Sequence, residues 1–433
     1  MPLLKKQIHF LFGHAFLLLV LLMASISTSA QDGGPLTIFE AFRLADQNYP
    51  LLHQKDLIRQ SEKLNRENLD VSFLPQFNVN GQATYQSDVT HFNIQIPGFK
   101  QPLISKDQYK LVGELDQMVY DAGTTHSQQE IQELNASLEE ARVDVDLYQL
   151  HTRVSQLYFG ILLQDQLLQQ TDLVLKDIQA GIDKVKPQVQ SGTALRSSLQ
   201  VLEVQYLQTQ QRSVEMRATK RGLVNALALY VGKPLSAFTV LEIPDLPDAS
   251  DTVVQRPELG LYQRQVSLLN GQEKLIHTRN LPRASVFFQG GMGRPGLNLF
   301  SNQLQPFYIT GLRLNWSLGA MYNNERDRKL LDIQRQTVDI QRSVFLLNTQ
   351  AQLRQQESDI SKYVELIASD EKIIDLRHQI TIASQAQLEN AVITSNDYLV
   401  QVDAEDAARQ SLIMHRLQWQ QAKLNAALTL GKR

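Results

Sequence analysis

The sequence of 433 residues contains no cysteine. Disulfide bonds are therefore excluded, and so is an N-terminal cysteine that could carry a lipid. After the first thirty residues, the sequence also lacks any run near the ~18 consecutive apolar residues of a membrane-spanning helix. If the chain is held in a membrane, its strands must hold it there.

The first thirty residues have the composition of an export signal. Lys5 and Lys6 precede an apolar run from Phe10 to Met23, and small residues lead from there to Ala30. This order predicts a signal peptide, residues 1–30, that is cleaved near Ala30. An uncleaved membrane anchor is the alternative, although the apolar run is short for one.

Neither charge nor histidine spacing indicates a chemical site. Removal of residues 1–30 takes away two lysines and leaves 40 basic against 45 acidic residues, which is no footprint for nucleic acid. The seven remaining histidines show no metal-ligand spacing, and no catalytic constellation can be argued. The sequence therefore predicts no enzyme activity, no cofactor, no metal site and no nucleic-acid partner.

One glycine-rich segment, from Gly291 to Gly296, does match the dinucleotide-binding pattern G-x-G-x-x-G. It follows a predicted strand, but Pro295 and the residues after it do not open a helix, as that site requires. The segment is better interpreted as the end of a strand and the start of an outer loop.

An internal repeat organises the rest of the sequence. The matched pairs are Leu74 and Leu281, Gly113 and Gly311, Gly192 and Asn390, and Gly232 and Gly431. The difference in residue number between matched residues falls by nine between residues 85 and 108, where the first copy has a longer loop. The pattern predicts a duplication, with a first repeat at residues 31–232, a linker at 233–256 and a second repeat at 257–433.

Each repeat begins with helices. Thr37 and Glu40 form a Thr-x-x-Glu pattern, which predicts a capping box at the start of a short helix. A second helix is predicted from Leu51 to Val71, and Pro75 ends it because a residue before proline disfavours the α conformation.

Two strands follow the helices of each repeat. Apolar or small residues alternate with polar ones from Phe77 to Tyr85, from Tyr109 to Leu115, around Val286, and from Tyr308 to Leu318, although Phe287 breaks the pattern. This period, with one apolar face, is typical of transmembrane β-strands. The polar faces, which are predicted to line a wet lumen, carry Asn78, Asn80, Gln82, Thr84, Lys110, Glu114, Arg313 and Asn315. A soluble two-sheet sandwich is the alternative, but aromatic residues near the strand ends favour a membrane.

A very long helix is predicted after each strand pair, from Thr124 to Gln190 and from Asn323 to Glu389. At 1.5 Å per residue, each would be ~100 Å long. A turn and a returning helix complete each repeat, and these returning helices end at Gly232 and Gly431. The prediction is two antiparallel coiled-coil hairpins.

Four strands cannot close a barrel in lipid, because about eight are needed and open edges are not tolerated there. The chain is therefore expected to oligomerise around an axis, which leaves no edge unpaired. Two copies would give eight strands and three would give twelve.

Several short motifs carry a resemblance to a known family. They are Leu-Thr-x-x-Glu-Ala at 36–41, Asn-Tyr-Pro-Leu at 48–51, Leu-Pro at 74–75, Val-Tyr-Asp-Ala-Gly at 119–123 and Val-Gly-Lys-Pro at 231–234. In this order, and over nearly the whole mature chain, the sequence resembles the TolC family of outer-membrane efflux proteins.

The resemblance implies an α+β membrane protein that is internally duplicated. Four strands per chain would contribute to a homotrimeric, twelve-stranded barrel in the outer-membrane lipid, and the coiled-coil helices would form a tunnel through the periplasm. It also implies two further partners, a periplasmic adaptor protein and an inner-membrane transporter. Members of the family export drugs, metals, dyes or proteins.

In that family, the hairpin tips meet the adaptor. The matching positions here are Gly192, Thr193, Ala194 and Leu195 in the first tip, and Asn390, Ala391, Val392 and Ile393 in the second. Asn390 stands where the family usually has glycine, and asparagine also tolerates a left-handed turn. A plain turn without a partner is the alternative.

Family members often close the inner end of the tunnel with acidic residues just past the second tip. Asn396 occupies the nearest matching position, so the candidate gate residues are Asp397 and Asp403. Ordinary solvated helix charges are the alternative for each.

The function that these features favour is a passive export duct driven by a partner pump. A periplasmic adaptor-like coiled-coil protein without a pore is the alternative, and the four alternating strands count against it. An outer-membrane enzyme is the third hypothesis, and the absence of a catalytic motif counts against it.

Overall fold

A computed structural model describes residues 35–89, 104–246, 253–299 and 301–432. The predicted signal peptide, most of the predicted loop between the first two strands and part of the linker lie outside these residues. The helices and strands, in chain order, are α1 (Ile38–Asn48), α2 (Gln54–Asp70), β1 (Gln76–Tyr85), β2 (Asp107–Tyr120), α3 (Thr124–Gln190), α4 (Arg196–Val231), α5 (Pro257–Arg279), β3 (Arg283–Arg294), β4 (Gln305–Asn315), α6 (Asn324–Glu389) and α7 (Ser395–Leu430).

The two long helices have the bounds that the sequence predicts, except that α6 begins one residue later, at Asn324. Pro187 lies inside the last turn of α3 without ending it, and its carbonyl accepts the N–H of Ser191 at 2.9 Å. The returning helices α4 and α7 end at glycines in the left-handed conformation, Gly232 and Gly431, as expected for a helix C-cap. No helix among the described residues combines the length and apolarity needed to cross a membrane.

The predicted capping box at the start of α1 is only half formed. The Thr37 hydroxyl accepts the N–H of Glu40 at 3.2 Å, but the Glu40 carboxylate pairs with Arg43 at 2.6 Å instead of returning to the cap. The second predicted helix is also shorter than expected, because short 3₁₀ segments at Pro50–His53 and Val71–Phe73 flank α2.

The four strands form one antiparallel sheet in the order β1-β2-β3-β4. Val79 lies opposite Gly113 in the first hairpin, and Val286 lies opposite Leu312 in the second. With the strands matched in this way, Gly113 corresponds to Leu312, so its predicted match with Gly311 is wrong by one residue. The order of elements after α2 is what the duplication requires, although its domain boundaries remain a prediction.

The pairing register places the predicted apolar residues of all four strands on one face. This face carries Phe77, Val79, Ala83, Tyr85, Tyr109, Leu111, Leu115, Val286, Phe288, Met292, Tyr308, Leu312 and Leu314. The opposite face carries the predicted polar residues, including Asn78, Glu114 and Gln289 in one row. The alternation of sides along a strand explains this separation, because one consistent register keeps each set together.

Two strand predictions need correction. Strand β2 runs five residues beyond Leu115, to Tyr120, whereas β4 ends at Asn315 and not at Leu318. The chain leaves the sheet there because the indole N–H of Trp316 donates to the carbonyl of Asn280 at 3.0 Å, and a 3₁₀ helix begins at Leu318.

Along β4 and in the middle of β2, side chains on the apolar face are more exposed than those on the polar face. Along β4, Phe307, Ile309 and Gly311 on the polar face are partly buried, whereas Tyr308 and Leu312 on the apolar face are exposed. Val112 on the polar side of β2 is only 7% exposed. The apolar face of these strands is therefore the more exposed of the two in this chain.

The largest apolar core lies midway along the long helices, where α1 packs against α3, α4 and α7. Tyr158 of α3 is fully buried there, and its hydroxyl donates to the carbonyls of Leu36 and Glu242, each at 2.6 Å. The described part of the predicted linker is therefore held against this core, since Leu241 also bridges to Leu36. This core fixes the long helices relative to one another and so positions the hairpin tips.

Candidate functional site

The two hairpin tips close with the same hydrogen bonds. In the first, Gly192 N–H donates to Val189 O at 3.2 Å, and Thr193 N–H donates to Gln188 O at 2.9 Å. In the second, the bonds run from Ala391 to Leu388 at 3.1 Å and from Val392 to Gln387 at 2.8 Å. These paired bonds are the helix-ending pattern in which the residue after the cap turns left-handed.

The left-handed residue is Gly192 in the first tip, with φ +73°, and Ala391 in the second, with φ +54°. The expectation that Asn390 takes this conformation is wrong, because its φ is −92°. Asn390 ends the helix instead, and its side-chain amide donates to Ala386 O at 2.8 Å. Gly192 therefore corresponds to Ala391, and the second tip holds a side chain where the first has none.

Six of the eight predicted docking residues are exposed at the tips. Leu195 is 74% exposed and Val392 is 70% exposed, so each tip presents one large apolar side chain. The other two, Ala194 and Ile393, are partly buried against the cluster beneath the tips. They therefore hold the tip in place, and the exposed residues form the surface that a partner could contact.

The apolar cluster beneath the tips draws on all four long helices. Its buried members are Val174, Ile178, Ile182, Val185, Leu202, Leu388, Tyr398, Leu399 and Val402. The two tips are also joined directly, since the Gln188 side chain donates to Glu389 O at 3.0 Å and Lys184 pairs with the Glu389 carboxylate at 3.0 Å. The tips thus form one surface.

Asp397, a predicted gate residue, caps helix α7. Its carboxylate accepts the N–H of Thr394 at 3.1 Å and the Thr394 hydroxyl at 2.7 Å, while the Thr394 hydroxyl also accepts the N–H of Asp397. These hydrogen bonds hold the pKa of Asp397 below its usual value. Sequence reasoning placed a capping box at Thr37, whereas the complete one is here.

Asp403, the other predicted gate residue, lines a cleft between α4 and α7. The cleft has a volume of about 390 Å³ and also contains Asn396 and Val400. The amide of Gln205 on α4 donates to the Asp403 carboxylate at 3.0 Å, and burial raises the pKa of this carboxyl. Asp397 is not part of the cleft, because six residues along a helix turn the side chain about 240° away. The structure thus brings Asp403 together with Asn396 and separates it from Asp397.

Sequence reasoning missed a group of buried carboxylates next to Asp403. Asp406 is 7% exposed and accepts hydrogen bonds from Gln170 of α3 at 3.1 Å and from Gln410 at 2.7 Å. Glu405 accepts from His378 of α6 at 3.0 Å and from Arg409 at 2.6 Å. The signal was the run of three acids within four residues of a helix, which requires partners on neighbouring helices.

Burial and hydrogen bonding act in opposite directions on the pKa values of this group. Burial raises the pKa of Asp406, although the hydrogen bond from Gln170 opposes it. It also raises the pKa of Asp177 of α3, and the nearby charge of Glu405 adds to the effect. For Glu405 itself burial acts in the same direction, but hydrogen bonds from Thr381, Arg409 and His378 together lower its pKa.

Three histidines each contact one carboxylate. His151 lies 2.9 Å from Asp46, His378 lies 3.0 Å from Glu405, and His415 lies 2.6 Å from Asp370. Among the residues that the structure describes, no three histidine or acidic side chains are grouped so that they could hold a metal ion. These contacts join neighbouring helices.

No protein-family model matches the sequence, and no curated protein matches it. Solved structures do match the fold. CusC superposes with a TM-score of 0.67 at 14% identity and covers 94% of this chain and 96% of its own. VceC of Vibrio cholerae gives 0.64 at 12% identity, over 91% of this chain and 96% of its own. MtrE of Neisseria gonorrhoeae, in an open state, gives 0.64 at 13% identity, over 91% and 89%.

These solved structures are described as a transmembrane channel or as outer-membrane proteins and channels. The similarity extends over both hairpins and the sheet, because more than nine-tenths of this chain is aligned in each case. This chain therefore has the fold of the TolC-type outer-membrane efflux channels.

Proposed function

We propose that this chain is one subunit of a channel-tunnel in the outer membrane, which serves as a passive duct for export. Three copies would close a barrel of twelve strands, and their long hairpins would form a tunnel through the periplasm. The driving energy would come from an inner-membrane transporter that acts through a periplasmic adaptor. Cargo would be small molecules or proteins.

The observation that carries this proposal is the sheet. Its apolar face presents exposed side chains such as Phe77, Tyr85 and Leu312. Its outer strands, β1 and β4, have no partner beyond them among the described residues. Lipid would cover the apolar face, and copies of the same chain would pair with both edges. A periplasmic adaptor without a pore would need neither feature.

The tips are proposed to dock the adaptor through their exposed residues. Leu195 and Val392 offer apolar side chains that are free of the cluster below. Asp403 remains a candidate for the gate, since it lines the cleft beside Asn396. Asp397 also remains a candidate, although its hydrogen bonds with Thr394 already give it a structural role.

Two measurements on the purified mature protein test the duct. In detergent it should run as a trimer, and in planar lipid bilayers it should conduct ions in steps. A monomer that stays soluble without detergent would contradict the proposal and favour the adaptor-like alternative.

The docking surface is tested by charge at the tips. Leu195→Glu combined with Val392→Glu should leave trimers and conductance intact but abolish export in cells. Exposed positions serve better than Gly192, because a side chain there would strain the turn at φ +73°. Leu229→Glu is the matched control, since Leu229 is 80% exposed on α4, far from the tip. Undiminished export by the double variant would refute the tip assignment.

A further inference from the structure

A cavity of about 180 Å³ lies between helices α3, α6 and α7 beside the start of α5. Its position is close to the central core and far from both the tips and the strands. The lining side chains are Tyr148, Gln149, Thr152 and Gln156 of α3, Gln352 and Gln356 of α6, Gln421, Asn425, Leu428 and Thr429 of α7, and Arg256, which precedes α5.

Uncharged polar groups dominate this lining. Six of its residues carry amides and three carry hydroxyls, and they recur at helical spacing on each of the three helices. Gln352 and Gln356 are one turn apart on α6, as Gln421 and Asn425 are on α7, so each pair points to the same side of its helix. Every amide offers both a donor and an acceptor.

Arg256 is the only charged residue of the lining, and its charge is already neutralised. Its guanidinium pairs with the Glu258 carboxylate and lies over the rings of Tyr148, at 4.9 Å, and Phe345, at 5.7 Å. An ionic ligand would lose its hydration here without gaining a free counter-charge. A neutral ligand would not pay that cost.

One amide of the cavity is left half satisfied. Gln356 donates through its side-chain nitrogen to the Thr429 hydroxyl at 3.0 Å. Its carbonyl oxygen is buried and has no hydrogen-bond partner among the described residues. Buried acceptors are nearly always paired, so this oxygen is available to a donor from ordered water or from a bound ligand.

We propose that this cavity binds one ring of an uncharged saccharide. Sugar hydroxyls both donate and accept, which matches a wall of amides and supplies the donor that Gln356 lacks. The cavity is roomy enough for several water molecules, each of which needs ~10–15 Å³. A ligand gains from displacing such water only if it replaces the hydrogen bonds, and a polyhydroxyl ring does so. The inference does not depend on the export proposal.

The test is saturation-transfer NMR on the full mature protein, in a detergent without a sugar headgroup. The probes are maltose and N,N′-diacetylchitobiose, with glucuronic acid as a charged counterpart. The neutral disaccharides should receive saturation and the acid should not. A hexasaccharide of the same repeat distinguishes the two sources of such a ring. It should bind as well as the disaccharide if the ligand is a free small sugar, and more tightly if the ligand is a longer glycan.

Two variants locate the binding. Gln356→Leu and Gln352→Ala should each weaken it, the first by about tenfold, because a lost hydrogen bond to a buried group costs ~1–3 kcal/mol. Gln352 is exposed, so its variant tests the contact without disturbing the helix packing. Gln336→Leu is the matched control on α6, about 30 Å away along the helix. The proposal would be overturned if the wild type received no saturation, or if both cavity variants bound the disaccharides as tightly as the wild type does.

Discussion

The guanidinium of Arg313 on β4 lies 2.8 Å from the carboxylate of Glu114 on β2, although β3 runs between these strands. Its other nitrogen lies 2.8 Å from Asp116, and the guanidinium crosses the ring of Phe287 at 4.7 Å. The aromatic residue that breaks the alternation of β3 is therefore the support on which this cation rests. One cation balances two carboxylates on the polar face.

If the polar face lines the lumen of the proposed channel, Arg313→Gln should make it more selective for cations, because Glu114 and Asp116 would then lack a counter-charge. The reversal potential in planar bilayers under a salt gradient measures this change. The effect should shrink toward 1 M salt, where the screening length is about 3 Å.

Lys329→Gln removes the same charge from the exposed surface of α6, where Lys329 pairs with Glu325 at 2.7 Å. This control should leave the reversal potential unchanged. Equal ion selectivity in wild type and Arg313→Gln would contradict the assignment of the polar face to the lumen.

The left-handed residues of the two tips predict that adding a methyl group to the first and removing one from the second act in opposite directions. Gly192→Ala should lower the local stability of the first tip by about 1 kcal/mol, since a side chain is disfavoured at φ +73°. Ala391→Gly should raise that of the second tip, though by less, because glycine also frees the unfolded chain. Hydrogen exchange of the tip amides measures both changes. If Asn390→Gly stabilised the second tip more than Ala391→Gly did, the assignment would be wrong.

The buried carboxylate Asp406 predicts a pH dependence of stability. Its pKa in the folded protein is raised, so its ionised form opposes folding at neutral pH. The free energy of unfolding should therefore increase as pH falls from neutrality toward the ordinary aspartate pKa of about 4, because protonation of Asp406 removes this penalty. Asp406→Asn should be more stable than the wild type at pH 7 and should flatten the rise in stability as pH falls from neutrality toward about 4.

Asp397→Asn is the control on the same helix, with the opposite sign. The pKa of Asp397 is lowered, so its contribution is present at neutral pH and is lost as pH falls through the folded pKa. Thermal unfolding in detergent at several pH values follows both variants. A pH profile of Asp406→Asn that matched the wild type would show that Asp406 does not titrate in this range.

Tyr158→Phe should destabilise the central core by about 2 kcal/mol, because the carbonyls of Leu36 and Glu242 would lose their shared donor in a buried place. The unfolding midpoint in denaturant measures the loss. Tyr322→Phe, at a side chain that is 82% exposed, should leave it unchanged. A midpoint of Tyr158→Phe equal to that of the wild type would mean that water replaces the hydroxyl.

The long elements could be predicted because their patterns are sustained. The apolar spacing from Thr124 to Gln190 persists over many turns, and the alternation on the strands agrees across four segments. The predictions that proved wrong concern single residues. The two tips match at Gly192 and Ala391 only through their hydrogen bonds, since no residue type marks the position. Likewise the Glu40 carboxylate pairs with Arg43 and not with the backbone N–H of the helix cap. The sequence pattern places both partners nearby and does not decide between them.

The candidate site also contains residues that could be predicted from the sequence and residues that could not. The tip residues follow from the length of the helices, so their location was predictable. The carboxylates around Asp406 depend on which residues of α3, α4 and α6 come to lie beside α7, and Gln170 is 236 residues away in sequence. Helical spacing describes one helix at a time and does not reveal such neighbours.

Helix α3 continues without a break from Tyr158, which two carbonyls hold in the core, to Gln190 at the tip. This span of 32 residues is about 48 Å long. A rotation of only ~5° about Tyr158 would carry the tip through roughly 4 Å at that length. A small rotation of the helix in the core would thus become a large displacement at the tip, and a partner bound to the tip could produce that rotation with little force.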